Sequence, residues 1–138
     1  KLLSAKRNGE RLALCYIDLN RFKQINDAHG HQAGDAILMH TANAISAHIR
    51  EADMAARMGG DEFVILLDGV HNDADIQHLT TQICRAIALP LCWGNLQLQV
   101  SASLGVALYP QDGEELDELM SKADSAMFMQ KAAMLVLR

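Results

Sequence analysis

The feature that most restricts the fold of this chain is a pair of glycines followed by two acids, Gly59-Gly60-Asp61-Glu62. The segments on either side, Asp53–Met58 and Glu62–Leu67, have the composition of β-strands. Glycine readily adopts the positive φ angles of a tight turn, so these residues can join two antiparallel neighbours. The sequence therefore predicts a β-hairpin that carries Asp61 and Glu62 at its tip.

A second predicted strand carries another acid. Leu12–Ile17 is a short apolar run that ends at Asp18, which is typical of a buried central strand. If this strand and the hairpin are neighbours in one sheet, Asp18 and Asp61 can meet at the same edge. Two converging carboxylates form an oxygen site suited to Mg²⁺, particularly when phosphates supply further ligands. The alternative is that Asp18 marks a solvated strand end and that Gly59-Gly60 is an ordinary turn.

The remaining elements are helices interleaved with strands. Apolar residues at helical spacing and breakers such as Gly30 and Pro90 define them. We predict helices over Phe22–His29 and Ala33–Arg50, a helix through Ile76, Leu79, Ile83 and Ile87, a hairpin of Leu91–Trp93 with Leu96–Val100, a strand over Ala102–Leu108, and a last helix with Leu116, Met120, Ala123 and Met127 as its apolar stripe. This order predicts an α+β fold: a central, largely antiparallel sheet flanked by helices.

Composition narrows the classes of function. The chain has 138 residues, 50% of them hydrophobic, which fits a single domain over residues 1–138. The net charge is −5 and no block of Lys and Arg occurs, so we expect no nucleic-acid partner. No apolar run approaches the roughly 20 residues that span a bilayer, so we expect no direct membrane contact. The three cysteines indicate a reducing, cytoplasmic setting.

Three motifs, in order, resemble one known family. Cys15–Asp35 (CYIDLNRFKQINDAHGHQAGD) and Arg57–Phe63 (RMGGDEF) look like a GGDEF domain, the catalytic module of bacterial diguanylate cyclases. Ser103–Ala107 matches the family's later strand and Ala123–Lys131 matches its last helix. The resemblance covers nearly the whole chain. It implies a nucleotidyl-cyclase-like (GGDEF) fold and the condensation of two GTP molecules into cyclic di-GMP and pyrophosphate.

The resemblance also assigns the catalytic centre. It implies that Asp18, the backbone carbonyl of Leu19 and Asp61 hold two Mg²⁺ or Mn²⁺ ions in each active site. Glu62 matches a further acid at the reaction centre, a metal ligand or the base for the ribose 3′-hydroxyl. Gly59 and Gly60 match residues that let the backbone approach the nucleotide.

Substrate recognition is implied for five residues. Phe22 and Lys23 match the turn whose backbone N–H groups contact the triphosphate, and Lys131 matches a conserved lysine of the last helix. Asn26 and Asp35 match the pair that reads guanine, whose adjacent N1–H and N2 donors suit a carboxylate acceptor. Without the resemblance, Asp35 would be read as a residue that favours a helix N-terminus and Asn26 as a turn residue.

A regulatory site is implied by Arg50-Glu51-Ala52-Asp53. This stretch matches the family's RxxD inhibitory site, where cyclic di-GMP binds as product and inhibitor. Arginine can stack on a guanine plane and donate to its Hoogsteen edge. The alternative is a helix-ending Arg50 beside an exposed acid, and Arg85 is the candidate for a second arginine of the site.

One position departs from the family pattern. Leu135 stands where the family has an arginine that contacts the triphosphate. Together with the missing helix before the first strand, it keeps a second function open: a degenerate GGDEF module that binds GTP or cyclic di-GMP and regulates an attached domain. The cyclase reading implies a homodimer, because each domain binds one GTP. We expect a cytoplasmic domain from a longer multidomain protein, such as a membrane-bound sensor.

Overall fold

The computed structural model describes residues 9–70 and 72–136, with side chains as far as residue 133. Its elements, in chain order, are β1 (Leu12–Asn20), α1 (Phe22–His29), α2 (His31–Ser46), β2 (Met54–Gly59), β3 (Glu62–Asp68), α3 (Asp73–Ile87), β4 (Leu91–Trp93), β5 (Leu96–Leu98), β6 (Ser101–Tyr109) and α4 (Leu116–Val136). In this part of the chain no helix is both long and apolar enough to cross a membrane.

A four-stranded sheet with the order β2-β3-β1-β6 organises the domain. All three strand pairs are antiparallel, and β4 with β5 forms a separate two-stranded hairpin. The predicted α+β architecture and both predicted hairpins are therefore confirmed. The first hairpin is β2–β3, and the Gly-Gly turn lies between its strands.

Strand β1 is buried on both faces. Ala13, Cys15 and Ile17 point into a core shared with α1, α2 and α3, whereas Leu14 packs with Leu119 and Ala123 of α4. In the described part of the chain, the sheet is thus covered by three helices on one face and one helix on the other. This arrangement explains why β1 reads as a continuous apolar run: each face of a strand buries every second residue.

Helix α4 lies unusually close to strand β6. A Cβ atom on Gly105 would stand 2.2 Å from the carbonyl oxygen of Ala123 and 2.3 Å from the amide nitrogen of Met127. Such distances are below van der Waals contact, so only glycine permits this approach of helix backbone to strand backbone. The position of α4 above the sheet is therefore set by Gly105.

Strand β1 is longer than predicted. It continues to Asn20, because β6 pairs with it as far as Asn20 and Ser101. Side-chain hydrogen bonds hold this extension: Asn20 Nδ2 donates to Ser101 Oγ at 2.9 Å and Ser103 Oγ donates to Asn20 Oδ1 at 2.9 Å. The prediction that Asp18 ends the strand was wrong, although the β1–β3 ladder does end there, at Asp18 and Glu62.

Helix α2 is shorter than predicted at its C-terminal end. It begins at His31 and ends at Ser46 rather than at Arg50. His48 Nδ1 lies 2.8 Å from the carbonyl oxygen of Ala44, and the His48 N–H donates to Ile45, a bond that tightens the last turn. Beyond this turn the backbone N–H of Arg50 donates to the Asp53 carboxylate, so the chain has left the helix.

The apolar stripe of α4 also differs from the prediction. Its buried members are Leu119, Ala123 and Met127, whereas Leu116 is exposed and Met120 is half-buried. The spacing of four residues is the one expected for a helix, but the stripe is displaced because Leu116 is the first residue of the helix. The predicted strand Leu96–Val100 is likewise shortened to Leu96–Leu98.

An ion pair fixes the loop between α2 and β2. The Asp53 side chain is fully buried and accepts hydrogen bonds from Arg50 N, Nε and Nη2 and from Asp68 N, at 2.8, 3.2, 3.0 and 3.0 Å. Burial alone would raise the pKa of Asp53, but these hydrogen bonds outweigh it and lower the pKa. Arg50 also donates to the Asp68 carbonyl. The loop is thereby joined to the end of β3.

We predict that Gly105→Ala destabilises the domain by about 3 kcal/mol, because the new methyl group overlaps the α4 backbone rather than a movable side chain. Urea unfolding followed by circular dichroism measures the change. Ser125→Thr is the control, since it adds a methyl group on an exposed position of the same helix and should change stability by less than about 0.5 kcal/mol. Equal stability of Gly105→Ala and wild type would show that α4 has room to move.

We predict that Asp53→Asn lowers the free energy of unfolding at pH 7 by roughly 2 kcal/mol, because it replaces a buried carboxylate that accepts four hydrogen bonds with an amide whose NH₂ group faces donors. The pKa of Asp53 is lowered in the fold, so its contribution is present above the ordinary carboxyl pKa of about 4 and is lost as the pH falls below it. The stability of Asp53→Asn should therefore fall less steeply with acid. Glu51→Gln, an exposed acid in the same loop, is the control and should behave like wild type.

Candidate active site

Two acids meet at the end of the β1–β3 ladder. Asp18 stands opposite Glu62, and the next residue of β1, Leu19, donates its N–H to the carbonyl oxygen of Asp61 at 3.2 Å. Burial, and then the neighbouring charge of Asp18 and a hydrogen bond between the two carboxyl groups, raise the pKa of Asp61. The structure therefore brings together Asp18, Leu19, Asp61 and Glu62, which the sequence had placed in one centre.

A lysine completes this cluster. Lys131 Nζ of α4 lies 2.7 Å from Asp18 Oδ2, and the Asp18 and Lys131 side chains are 16% and 26% exposed. The other oxygen, Asp18 Oδ1, is buried and has no hydrogen-bond partner among the described residues. An unpartnered buried carboxylate oxygen is costly, and a cation is the natural ligand for it.

The carboxylate oxygens of the site suit a hard divalent ion, provided that other oxygen ligands complete its coordination shell. Within residues 9–70 and 72–136 there is no group of three or more His, Cys, Asp or Glu side chains that could hold a metal ion. Asp18 and Asp61 offer carboxylate oxygens, and the rest of an octahedral shell would have to come from backbone, water and phosphate oxygens. Mg²⁺ is bound in this way in phosphate-transferring sites, through one or two carboxylates and the substrate.

The glycine turn leaves the site open. Gly59 and Gly60 have φ angles of +143° and +49°, which disfavour any residue with a side chain. Apart from the chain neighbours, no described residue has an atom within 4 Å of a Cβ atom built on either glycine, so the backbone is open on that side. The Arg57 Nε–H donates to the Gly60 carbonyl oxygen at 3.0 Å and closes the turn.

Tyr16 belongs to this centre, although the sequence analysis did not include it. It lies two residues before Asp18 on β1 and therefore on the same face of the sheet. Burial, and then the negative charge of Glu62 with a hydrogen bond to it, raise the pKa of Tyr16. The sequence could have indicated Tyr16, because the strand period of two places Tyr16 on the same face as Asp18. Glu62 stands opposite Asp18 in the ladder and is therefore near both side chains.

Helices α1 and α2 hold the predicted base-reading residues. Asn26 Oδ1 is buried without a partner among the described residues, and a Cβ atom on Gly34 would stand 1.8 Å from it. Gly34 is thus the residue that makes room for the Asn26 amide. A glycine inside a helix costs about 1 kcal/mol relative to alanine, and that cost could have indicated Gly34 from the sequence.

Asp35 follows Gly34 and lines a separate space. It borders a cavity of about 370 Å³ between α2 and the β2–β3 hairpin, together with Leu38, Met39, Arg57 and Phe63. Asn26 is not among the residues that line that cavity. The arrangement offers an apolar space with Asp35 at its border.

Phe22 and Lys23 lie in the first turn of α1. The Phe22 side chain is buried in the core, whereas Lys23 is exposed. The Phe22 ring therefore anchors the turn, and only its backbone can face a ligand. The side chain of Leu135, where the family has an arginine, lies outside the described side chains.

Arg50 and Asp53 lie at the far end of β3. Asp68, which they contact, is separated from Glu62 by the length of the strand, roughly 20 Å. Since the Asp53 carboxylate is buried and saturated, it positions Arg50 and leaves the Arg50 side chain 58% exposed. A cavity of about 200 Å³ lies beside Arg50, lined by Val70, Ile76 and Leu79 but not by Arg85.

Comparisons with known proteins identify the family of the chain. The family model described as "Diguanylate cyclase, GGDEF domain" matches residues 1–135. MucR of Pseudomonas aeruginosa, a bifunctional diguanylate cyclase/cyclic di-GMP phosphodiesterase, is 42% identical over 127 residues, which make up 92% of this chain and 18% of MucR. The chain thus spans less than a fifth of that relative's length.

Solved structures show the same fold. The GGDEF domain of TpbB from Pseudomonas aeruginosa superposes with a TM-score of 0.92 at 37% identity, covering 96% of this chain and 77% of that one. The GGDEF domain of DgcB from Caulobacter crescentus, solved in complex with c-di-GMP, gives a TM-score of 0.85 at 25% identity and covers 95% of this chain and 78% of that one. The chain belongs to the GGDEF family of diguanylate cyclase domains.

Proposed function

We propose that this chain is an active diguanylate cyclase domain, which condenses two GTP molecules into cyclic di-GMP and two pyrophosphates. The observation that carries the proposal is the convergence of Asp18 and Asp61, with an unpartnered carboxylate oxygen, beside an open glycine turn. Family membership supplies the reaction class. Intact acids at these positions favour catalysis over binding alone.

Each residue has a place in this proposal. Asp18 and Asp61, with the Leu19 carbonyl, would hold two Mg²⁺ or Mn²⁺ ions, which when bound supply Lewis-acid activation of the α-phosphate and offset charge on departing pyrophosphate. Glu62 would accept the 3′-hydroxyl proton or join the ligands. Gly59 and Gly60 admit the nucleotide to the backbone.

The base and the phosphates would be held on either side of the metals. Asn26 and Asp35 would read guanine by accepting from N1–H and the N2 amino group, a pattern that adenine lacks. Phe22 and Lys23 would present backbone N–H groups to the triphosphate, and Lys131 would add a positive charge. The Asn26 oxygen supports this role, because it is buried, unpartnered within the described residues and protected by Gly34.

The balanced reaction requires two copies of the chain. The 3′-oxygen of the first GTP forms a bond to the α-phosphorus of the second, and the bond from that phosphorus to pyrophosphate breaks. The 3′-oxygen of the second GTP then attacks the α-phosphorus of the first in the same way, which releases the second pyrophosphate. A homodimer with two domains face to face would therefore be the active species. The domain would act in the cytoplasm, where GTP is available.

A degenerate, regulatory module is the second candidate. Leu135 replaces a phosphate-binding arginine of the family, and a leucine cannot neutralise phosphate. The relative MucR is a bifunctional diguanylate cyclase/cyclic di-GMP phosphodiesterase. In this case the domain would bind GTP or cyclic di-GMP and act on an attached domain.

We predict that the chain, dimerised at high concentration, converts GTP but not ATP to its cyclic dinucleotide and that Asp61→Asn abolishes this conversion. Loss of a metal ligand should reduce the rate by roughly a thousandfold or more. Products are identified by mass spectrometry after incubation with Mg²⁺. Glu114→Gln, an exposed acid on the loop before α4, is the charge-matched control and should retain activity. Turnover by Asp61→Asn at the wild-type rate would overturn the metal assignment.

We also predict that cyclic di-GMP binds at Arg50 and inhibits from there. Arg50→Ala should weaken cyclic di-GMP binding by tenfold or more, because a stacking and bidentate group is lost, while GTP affinity remains. Titration calorimetry measures both ligands, and circular dichroism checks the fold. Lys122→Ala, which removes an exposed cation from α4, is the control. Unchanged cyclic di-GMP binding in Arg50→Ala would reduce Arg50 to the structural partner of Asp53.

A further inference from the structure

Lys131 contacts one of the two carboxylate oxygens of Asp18, Oδ2. We propose that Lys131 is an internal counter-cation that weakens metal binding at Asp18 until a nucleotide triphosphate draws its ammonium group away, so that metal and nucleotide bind cooperatively. The inference rests on the proposed function in one respect only, the assignment of Asp18 as a metal ligand.

The contact of α4 with Gly105 determines that Lys131 lies beside Asp18. Gly105 of β6 stands opposite Tyr16 of β1, and Ser103 stands opposite Asp18. From the Gly105 contact to the level of Asp18 is two strand residues, about 7 Å, and from Met127 to Lys131 is four helix residues, about 6 Å. The helix therefore delivers Lys131 to Asp18 because Gly105 fixes its height.

The contact holds a positive charge beside the carboxylate that would bind the metal. Lys131 Nζ lies 2.7 Å from Asp18 Oδ2, which leaves Asp18 Oδ1 without a partner among the described residues. An ammonium group and a divalent ion on the same carboxylate repel each other, so the contact with Lys131 opposes metal binding at Asp18. Departure of the lysine therefore strengthens metal binding there.

The lysine does not neutralise the site fully. Lys131 Nζ contacts only one of the two Asp18 oxygens, Oδ2. Asp18 Oδ1 also stays without a partner within the described residues. The site thus retains an attraction for a divalent ion that Lys131 only partly satisfies.

A triphosphate offers Lys131 a second anion. The lysine side chain is a charge on a flexible four-carbon stem, and the Lys131 side chain is partly exposed, so its head group can turn from Asp18 to a phosphate without moving the helix. Each nucleotide that captures Lys131 frees Asp18 Oδ2 for metal. By linkage, the metal must then strengthen nucleotide binding by the same factor.

The alternative is a purely structural ion pair that fastens the C-terminal half of α4 to the sheet. The two roles differ in one measurement, the affinity for metal without nucleotide. A structural pair predicts that its removal lowers stability and leaves that affinity unchanged or weaker. If Lys131 is a counter-cation, its removal strengthens the affinity for metal in the absence of nucleotide.

The test is titration of Mn²⁺ into the chain by calorimetry and electron paramagnetic resonance, with and without guanosine 5′-(α,β-methylene)triphosphate, which cannot lose pyrophosphate. Lys131→Met removes the charge at nearly constant size. We expect Lys131→Met to bind Mn²⁺ about tenfold more tightly than wild type without nucleotide, and the nucleotide to tighten Mn²⁺ binding less than in wild type. Lys131→Arg keeps the charge and should retain weak binding.

Lys122→Met is the matched control, because it removes one exposed positive charge from the same helix and so reproduces any long-range effect of net charge. Equal gains in Lys122→Met and Lys131→Met, or no gain in Lys131→Met, would overturn the inference. Absence of Mn²⁺ binding in every variant, with nucleotide present, would overturn it together with the metal assignment. A gain confined to Lys131→Met in a chain that makes no cyclic di-GMP would uphold it and leave only the cyclase proposal wrong.

Discussion

The pairing of β1 with both β3 and β6 is the constraint on which the rest of the domain depends. A strand has a side-chain period of two, so a slip of one residue would exchange the faces of every residue in β1. The alternation of Ala13, Cys15 and Ile17 on one face with Leu14 and Tyr16 on the other prevents that slip, because both faces are buried. The same register turns Asp18 towards α4 and sets it opposite Glu62. Hydrophobic packing thus positions the acids.

The sequence predicted the elements well because each has a strong local signal. The Gly-Gly turn, the apolar run of β1 and the helical spacing in α3 are short-range patterns, and the structure has them in the predicted order. The errors lie where a tertiary contact overrides the pattern. Helix α2 stops early because Asp53 captures the backbone of Arg50, and β1 runs on because Asn20 bonds to β6.

The site was predictable in part for the same reason. Asp18 and Asp61 could be placed at one edge from strand order, but the contact of Lys131 with Asp18 joins residues 113 positions apart and no local pattern reports it. The sequence could mark Gly34 as an unusual residue inside a helix but could not give the role of Gly34 or Gly105, because that role lies in what a methyl group would contact. Such glycines can be recognised only when the opposing backbone or side chain is known.

The openness of the site explains why one chain cannot be enough for the proposed reaction. The described residues put β2 at the exposed edge of the sheet, and both turn glycines face outward with no atom within 4 Å of a built Cβ. The acids, the glycine turn and helices α1 and α2 would therefore line only one side of the proposed substrate, and the other side would stay in water. A cyclic product with two equivalent phosphodiester bonds needs two such half-sites related by a twofold axis, each offering its own 3′-hydroxyl to the other's α-phosphate. An exposed, pre-formed half-site is what this symmetry requires, since enclosing the nucleotide within one chain would bar the second nucleotide from attack.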